Sequence, residues 1–589
     1  MINIKENEKL NMLNHSCAHL LAQAVKHLYP EAKFWVGPVI EEGFYYDIDL
    51  GNEVIKEEDF EKLEKEMKKI AKDGKRINRR ELSLKEALAL FKDDPYKIDL
   101  INELDKDSII SCYAQGDFID LCRGPHVESV KEIKYYKLLK VSGAYYKADI
   151  KNKMLQRIYG VCFDSEDALK AHLNFLEEAK NRDHRKIGKD LDLFCFSDLV
   201  GPGLPLYTPK GTIIKEELQK EVERICKSYG WQKVFNPHLA NIKLFELSGH
   251  ASKFSEELFH VTSEKGHEMV LKPVLCPHHT QIYASKMRSY RDLPIRYMES
   301  EKMHRAELQG AVGGLSRVYA ITVEDGHVFC RVDQVKQEVV SLVNIIKDFY
   351  SSLGMWGNHW VSLSVRDYAH PEKYIGDAKD WDTCESMLEE ISNELGLKAK
   401  RCEGEAALYG PKLDFMFKDA LGREIQIPTV QLDFATPKRF ALVYTDSNGE
   451  KVNPVMVHRA ILGSYERFMM LLIEHFAGAF PAWLAPVQVN IIPVNNEHHG
   501  EYAAEIKSLL ENHDVRVTLD NRDEKLSYKI RESQTSKIPY TLIIGDKEIE
   551  TGSVTYRIYG EEASNTLEKE AFVSKLKANI NNRSLDYKL

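Results

Sequence analysis

Hydrophobic and polar positions along the chain mark out elements of different kinds. Phe60, Leu63, Met67 and Ile70 recur at helical spacing among charges, so residues 57–72 read as a surface helix. Leu169, Leu173 and Leu176 line one face of a second helical run over 165–189. Its densely charged end, 180–185, suits a connector between domains. Mixed strands and turns are expected between these two helices, as far as Phe163. Between 193 and 485, helices alternate with β-rich runs such as 361–365 and 440–444, a pattern of antiparallel hairpins without regular β-α-β order. After Pro486 the pattern changes. Short strands at 487–494, 515–519 and 540–544 alternate with helices at 501–512 and 525–536, which predicts a small α/β domain.

Length and composition limit the classes open to such a chain. With 589 residues it exceeds what one hydrophobic core serves, so several domains are expected. The first fourteen residues lack the apolar core of a signal peptide. The longest uncharged stretch, 476–494, is broken by Pro481, Pro486 and Pro493 and reads as a turn and a strand, not a membrane span. Ten scattered cysteines with no C-x-x-C pair fit a reducing cytoplasm, and any metal site must draw its ligands from distant segments. The net charge of −10 leans against a nucleic-acid partner without excluding one, because binding depends on a local patch.

Three constellations carry chemistry. His15 and His19 are four apart in a helical run and share one face. Cys122 and His126 flank the Gly124-Pro125 turn. Together they suit a pocket that holds a metal or positions a water. Cys276, His327 and His458 form no spaced motif, and alone they read as a buried thiol and two core histidines. Arg305, Arg317 and Arg467 offer guanidinium forks for polyphosphate, and no P-loop or G-x-G-x-x-G is present to do that work.

Several segments, in this order, resemble the threonyl-tRNA synthetases, a class II aminoacyl-tRNA synthetase family. They are Asn14-His-Ser-Cys-Ala-His-Leu-Leu21, Asp120-Leu-Cys-Arg-Gly-Pro-His-Val127, Lys153-Met-Leu-Gln-Arg-Ile-Tyr-Gly160, Asp183-His-Arg-Lys-Ile-Gly188, Tyr409-Gly-Pro-Lys412, Thr429-Val-Gln-Leu-Asp-Phe434 and Val457-His-Arg-Ala-Ile-Leu-Gly463. The resemblance spans nearly the whole chain. It implies an α+β multidomain architecture, with an editing domain at 1–164, a helical connector at 165–190, an antiparallel-sheet catalytic domain at 191–485 and an α/β anticodon-binding domain at 486–589. The ubiquitin-like domain that often opens the family is expected to be absent.

The implied activity is ATP-dependent ligation of L-threonine to tRNA(Thr), with hydrolytic editing of mischarged seryl-tRNA. Cys276, His327 and His458 match the ligands of a catalytic zinc. Arg305, Glu307, Arg317, Gln426 and Arg467 match ATP-side positions, and magnesium is expected with the ATP. Asp325, Tyr409, Lys412 and Gln431 match the threonine and adenylate pocket, and His250 matches a histidine implicated in transfer to tRNA. His15, His19, Lys97, Asp120, Cys122 and His126 match the editing site. Glu548 and Arg557 match anticodon readers, in a block with 14 Lys and Arg against 17 Asp and Glu. A homodimer and a cytoplasmic location are also implied.

Four positions depart from the family pattern. Leu275 and His278 flank the zinc cysteine differently, Val323 replaces a pocket glutamine, and Asp523 replaces an anticodon-contacting asparagine. Three other readings remain: a synthetase-like paralogue without ligase activity, a metallohydrolase using only the N-terminal cluster, and a non-catalytic RNA-binding regulator.

Overall fold

The computed structural model describes residues 3–105, 109–149, 151–357, 359–419 and 422–589. They form two compact units, Met1–Glu178 and Ala179–Leu589.

The N-terminal unit is built around the helix Glu8–Leu28. Asn7 caps it by accepting a hydrogen bond from Leu10 N–H, and burial from Leu13 to Val25 covers more than one face. A helix covered on several sides must lie between layers. Here it packs against the helix Phe60–Asp73 and against a five-stranded antiparallel sheet that includes Gly43–Asp49, Tyr135–Tyr145 and Met154–Phe163. Phe60, Leu63, Met67 and Ile70 are the buried residues of Phe60–Asp73, as their spacing predicts. A second, three-stranded sheet joins Ile77–Leu82, Ile110–Gln115 and Phe118–Leu121. Two short helices, Leu84–Leu90 and Pro95–Asn102, lie where only strands and turns were expected.

The expected single helix over 165–189 is two helices, Glu166–Arg182 and His184–Asp190. Asp183 breaks it. Its carboxylate accepts from Arg185 N–H at 2.8 Å and starts a new helix.

The second unit holds an eight-stranded sheet. Its order is Gln232–Lys233, Ile295–His304, Ala320–Cys330, Val455–Ser464, Glu424–Asp433, Lys412–Lys418, His359–Val365 and Lys400–Glu403. Only the two edge pairings are parallel. Helices Pro209–Ser228 and Val335–Ser352 contribute to the apolar core beneath it, with Ile214, Leu218, Val339 and Ile346 buried there. The β reading of 440–444 is wrong: Ala435–Arg439 is a short helix, and the chain then turns through Ala441 at φ +51° before strand resumes at Tyr444.

The last hundred residues carry a five-stranded sheet with its own core, ordered Val517–Leu519, Val489–Pro493, Tyr540–Ile544, Ser553–Ile558 and Ser564–Glu568. Tyr540–Ile544 has the predicted bounds. The helix expected at 501 starts at Asn496, because Asn495 accepts from Glu497 and His498 N–H. Among the described residues no helix is long and apolar enough to cross a membrane.

Candidate functional site

One transverse row of the large sheet organises the first site. Lys412 pairs with Gln431, Gln431 with His458, His458 with His327 and His327 with Tyr297, each on a neighbouring antiparallel strand. Residues directly opposite across a ladder point to the same face, so five strands deliver their side chains side by side. Cys276 reaches this face from the start of the helix Cys276–Ala284. The ligand atoms of Cys276, His327 and His458 lie within 4.8 Å of one another, and all three residues are buried.

Outer partners decide which ring nitrogens are free. His458 Nε2–H donates to Asp433 Oδ2 at 2.9 Å, leaving Nδ1 with its lone pair. His279 Nε2–H donates a hydrogen bond to Glu299 Oε2 at 3.3 Å. His279 Nδ1 is then the acceptor for His327 Nδ1–H, at 2.8 Å. His327 Nε2 remains, buried and with no hydrogen-bond partner among the described residues. A buried orphan nitrogen beside a thiol and a second imidazole is a donor set that could hold a metal ion such as zinc, with one position left open. Burial pushes the Cys276 thiol well up and His327 well down, each toward the neutral form. A bound divalent cation reverses the first effect, since a coordinating thiol is deprotonated.

Around this cluster stand the other expected pocket residues. Tyr409 stacks on His458, with ring centroids 4.5 Å apart, and its hydroxyl donates to Gln431 Oε1 at 2.9 Å. Asp325 Oδ2 is 3.9 Å from His327 Nε2. Lys412 Nζ, Gln426 Nε2 and Ser364 Oγ all donate to Asp414, at 2.6–2.7 Å. His250 opens a short helix and meets Ser248 Oγ through Nδ1 at 2.9 Å. Burial, with Arg305 nearby, lowers its pKa to about 4, so the ring is neutral at ordinary pH.

The arginines stand on the segments that join or follow the sheet strands. Arg305 follows the strand Ile295–His304, and its Nε donates to Pro273 O at 3.3 Å. Arg317 closes on Glu307, with Nε and a terminal nitrogen 2.8 and 2.7 Å from Oε2. Arg467 stands in the first turn of the helix Tyr465–His475, where Ser464 Oγ accepts its backbone N–H at 3.2 Å. Burial and then the Arg317 guanidinium push Arg467 below its usual range. Guanidinium forks of this kind can bind polyphosphate.

In the N-terminal unit His15, His19, Cys122 and His126 converge within the same 4.8 Å limit. Here Cys122 Sγ lies 3.1 Å from His15 Nε2 and 3.2 Å from His126 Nε2, while His19 Nδ1 is buried with no hydrogen-bond partner among the described residues. Ser16 Oγ meets His126 Nδ1 at 3.0 Å. Behind the cluster Lys97 and Asp120 form a buried ion pair at 2.5 Å, and the Tyr46 hydroxyl donates to the same carboxylate. Burial raises the Cys122 thiol to about 12 and lowers His15, His19 and His126. A cavity of about 800 Å³ opens on His15, His19, Tyr46, Lys97, Asp120 and Cys122. Neutral imidazoles along a roomy cavity can accept a hydrogen bond from water and so orient it, whereas a thiol kept protonated is a poor nucleophile.

Glu548 and Arg557 stand in the C-terminal sheet region with separate partners. Glu548 takes Gly545 N–H and Thr555 Oγ1 at 2.9 and 2.7 Å, and Arg557 Nε donates to Ser564 Oγ at 3.1 Å. Sequence reasoning missed His279, Glu299, Asp433, Asp414 and Tyr46. Asp433 lies inside a quoted segment, but only strand pairing shows that it faces His458.

Comparison with known proteins is consistent with this arrangement. Residues 259–476 match the family described as tRNA synthetase class II core domain (G, H, P, S and T), residues 488–579 an anticodon binding domain, and residues 110–159 the threonyl and alanyl tRNA synthetase second additional domain. A threonine–tRNA ligase of Staphylococcus saprophyticus is 49% identical over 568 residues, covering 96% of this chain and 88% of that protein. One from Oceanobacillus iheyensis is 45% identical over 587 residues, covering 99% and 91%. Among solved structures, the RNA binding domain of threonyl-tRNA synthetase from Cryptosporidium parvum Iowa II is similar with a TM-score of 0.64 and 31% identity, over 69% of this chain and 99% of that one.

Proposed function

The chain belongs to the threonine–tRNA ligase family, and from that premise we propose how its residues divide the work. It is an aminoacyl-tRNA synthetase that joins L-threonine to transfer RNA at the expense of ATP. In the proposed site Cys276, His327 and His458 hold one zinc ion. The buried, unpartnered His327 Nε2 beside two other ligand atoms is the observation that carries this reading. When bound, zinc supplies a Lewis-acidic position for the threonine amino group and hydroxyl. Valine has no hydroxyl to offer, and a site that requires one rejects it far more strongly than an apolar pocket does. Asp325, Tyr409, Lys412 and Gln431 line the rest of the pocket.

ATP lies along the arginines, with magnesium balancing its phosphate charge. Arg305 stabilises charge on the α-phosphate as the threonine carboxylate attacks phosphorus and pyrophosphate departs. Arg467 and Arg317 hold the outer phosphates. Glu307 receives the adenine amino group on the oxygen that Arg317 does not occupy, and Gln426 lies on the same side. In the second step a ribose hydroxyl of tRNA attacks the adenylate carbonyl and AMP leaves. His250, neutral at working pH, is placed to accept the hydroxyl proton.

Serine keeps the hydroxyl and lacks one methyl, a difference of about 1–3 kcal/mol, so a second sieve is needed. The His15, His19, Lys97, Asp120, Cys122 and His126 cavity suits hydrolysis of seryl-tRNA. The segments 1–164, 165–190, 191–485 and 486–589 then act as editing domain, connector, catalytic domain and anticodon-binding domain. Glu548 and Arg557 serve the last of these, with the Glu548 carboxylate already anchored at its base. A cytoplasmic homodimer completes the proposal, with all ten cysteines as free thiols.

ATP–pyrophosphate exchange with threonine, valine and serine tests the site, with and without a zinc chelator. Threonine-dependent exchange that the chelator abolishes and zinc restores is the expected result. Exchange that survives Cys276→Ala would sink the zinc assignment.

A further inference from the structure

The segment Asp183-His-Arg-Lys-Ile-Gly188 has no part in either site, yet His184 is buried and bonded at both ring nitrogens. Its Nδ1 lies 2.8 Å from Glu474 Oε1, and its Nε2 accepts the backbone N–H of Leu315 at 3.3 Å. A carboxylate on one side and an N–H on the other admit a single state, the neutral ring with its proton on Nδ1. Glu474 is itself buried, and its other oxygen takes Arg423 at 2.6 Å. Arg182 donates to the carbonyls of Glu474 and His475 at 3.2 Å, closing the end of the same helix.

Both anchors of His184 belong to segments that carry the phosphate arginines. Glu474 lies seven residues beyond Arg467 on the helix Tyr465–His475, so the two share a helix face about 10 Å apart. Leu315 is two residues before Arg317, in the loop that returns from Arg305. That loop fits closely over the ring. Gly314 has φ +50°, and a Cβ there would sit 2.4 Å from His184 Nε2. One imidazole thus fastens the loop of Arg317 to the helix of Arg467.

We propose that His184 is a positioning residue for ATP: it holds the Arg317 loop in register with the Arg467 helix through Leu315 N–H and Glu474. The inference rests on the reading of those arginines as phosphate ligands. His184 touches no substrate. It acts by keeping two like charges at a fixed separation, which their mutual repulsion opposes and which a triphosphate requires.

The test uses the full-length protein with His184→Asn and His184→Gln. Asparagine keeps a donor for Glu474 and loses the acceptor for Leu315, whereas glutamine restores an acceptor at the distant position. His184→Asn is expected to raise the KM for ATP about tenfold in pyrophosphate exchange, the scale of one lost hydrogen bond. The KM for threonine and the zinc content stay unchanged. Amide exchange speeds up in a peptide covering Leu315 and not in one covering Tyr465–His475. His184→Gln recovers most of the ATP affinity. A folded His184→Asn protein with wild-type KM for ATP overturns the proposal, as does equal loss for both substrates alongside a lowered melting temperature. Arg317→Ala and Arg467→Ala are measured beside them. If these leave the KM for ATP unchanged, it is the phosphate reading that fails.

Discussion

Asp433 Oδ2 accepts the Nε2–H of His458 at 2.9 Å, and this one bond selects the nitrogen that His458 has left for a metal. Asp433 is fully buried, and its other oxygen takes Thr436 N–H at 2.8 Å, so the carboxylate cannot turn away. Asp433→Ala frees the ring to rotate and to exchange tautomers. We expect zinc affinity to fall about 10–100-fold, the usual effect of losing such an outer partner, as read by competition with a chromogenic chelator. Affinity within twofold of wild type would show that the sheet alone orients His458.

Removing the Cys122 thiol separates the two activities. Cys122→Ala is expected to leave threonine charging intact while seryl-tRNA accumulates in a charging assay with serine. If mischarged serine is cleared at the normal rate, the cavity in the N-terminal unit is not the editing site.

The buried pair of Lys97 and Asp120 matters for stability as well as for the cavity. Lys97→Ala leaves Asp120 in the interior without its cation. Denaturant unfolding of the N-terminal unit should report a loss of about 3–5 kcal/mol. Lys97→Ala with Asp120→Asn should recover part of it, because no unpaired charge then remains. A loss below about 1 kcal/mol would place water beside the carboxylate.

The N-terminal unit should also weaken in acid. Burial lowers His15, His19 and His126 below the value of about 6.5 they take in the unfolded chain. Above that value the rings are neutral in both states and contribute no pH dependence. As pH falls through it, the unfolded chain binds protons that the folded unit refuses, so stability drops. Protection factors of the Glu8–Leu28 amides, corrected for the intrinsic exchange rate at each pH, should therefore fall between about pH 7 and pH 5, and His126→Asn should flatten the slope. Exchange protection that rises in acid would mean that the cluster is charged when folded.

Some of this was legible in the chain and some was not, for physical reasons. The four-residue spacing of His15 and His19 showed a shared face, because helical periodicity is local. The apolar stripe from Phe60 to Ile70 was equally plain. Cys276, His327 and His458 were invisible as a set, because their meeting depends on which strands pair and in which register. Asp433, His279 and Glu299 were hidden for the same reason. The break at Asp183 could have been read, since an Asp two residues before a basic run is a capping signal, but helical spacing on both sides masked it. The 440–444 run misled because its apolar residues cover a turn at Ala441.

In the proposed site, the row from Lys412 to Tyr297 places amino-acid choice in the register of the sheet. Each member stands on a strand whose neighbours alternate between faces, so inserting or deleting one residue in Val455–Ser464 would send His458 to the opposite side of the sheet. The protein could keep its core and its arginines and still lose the ability to tell threonine from valine. On the proposed zinc reading, fidelity at the first step is thus encoded in backbone alignment. Single-residue indels within these strands, far more than changes in the loops between them, are the lesions that would corrupt it.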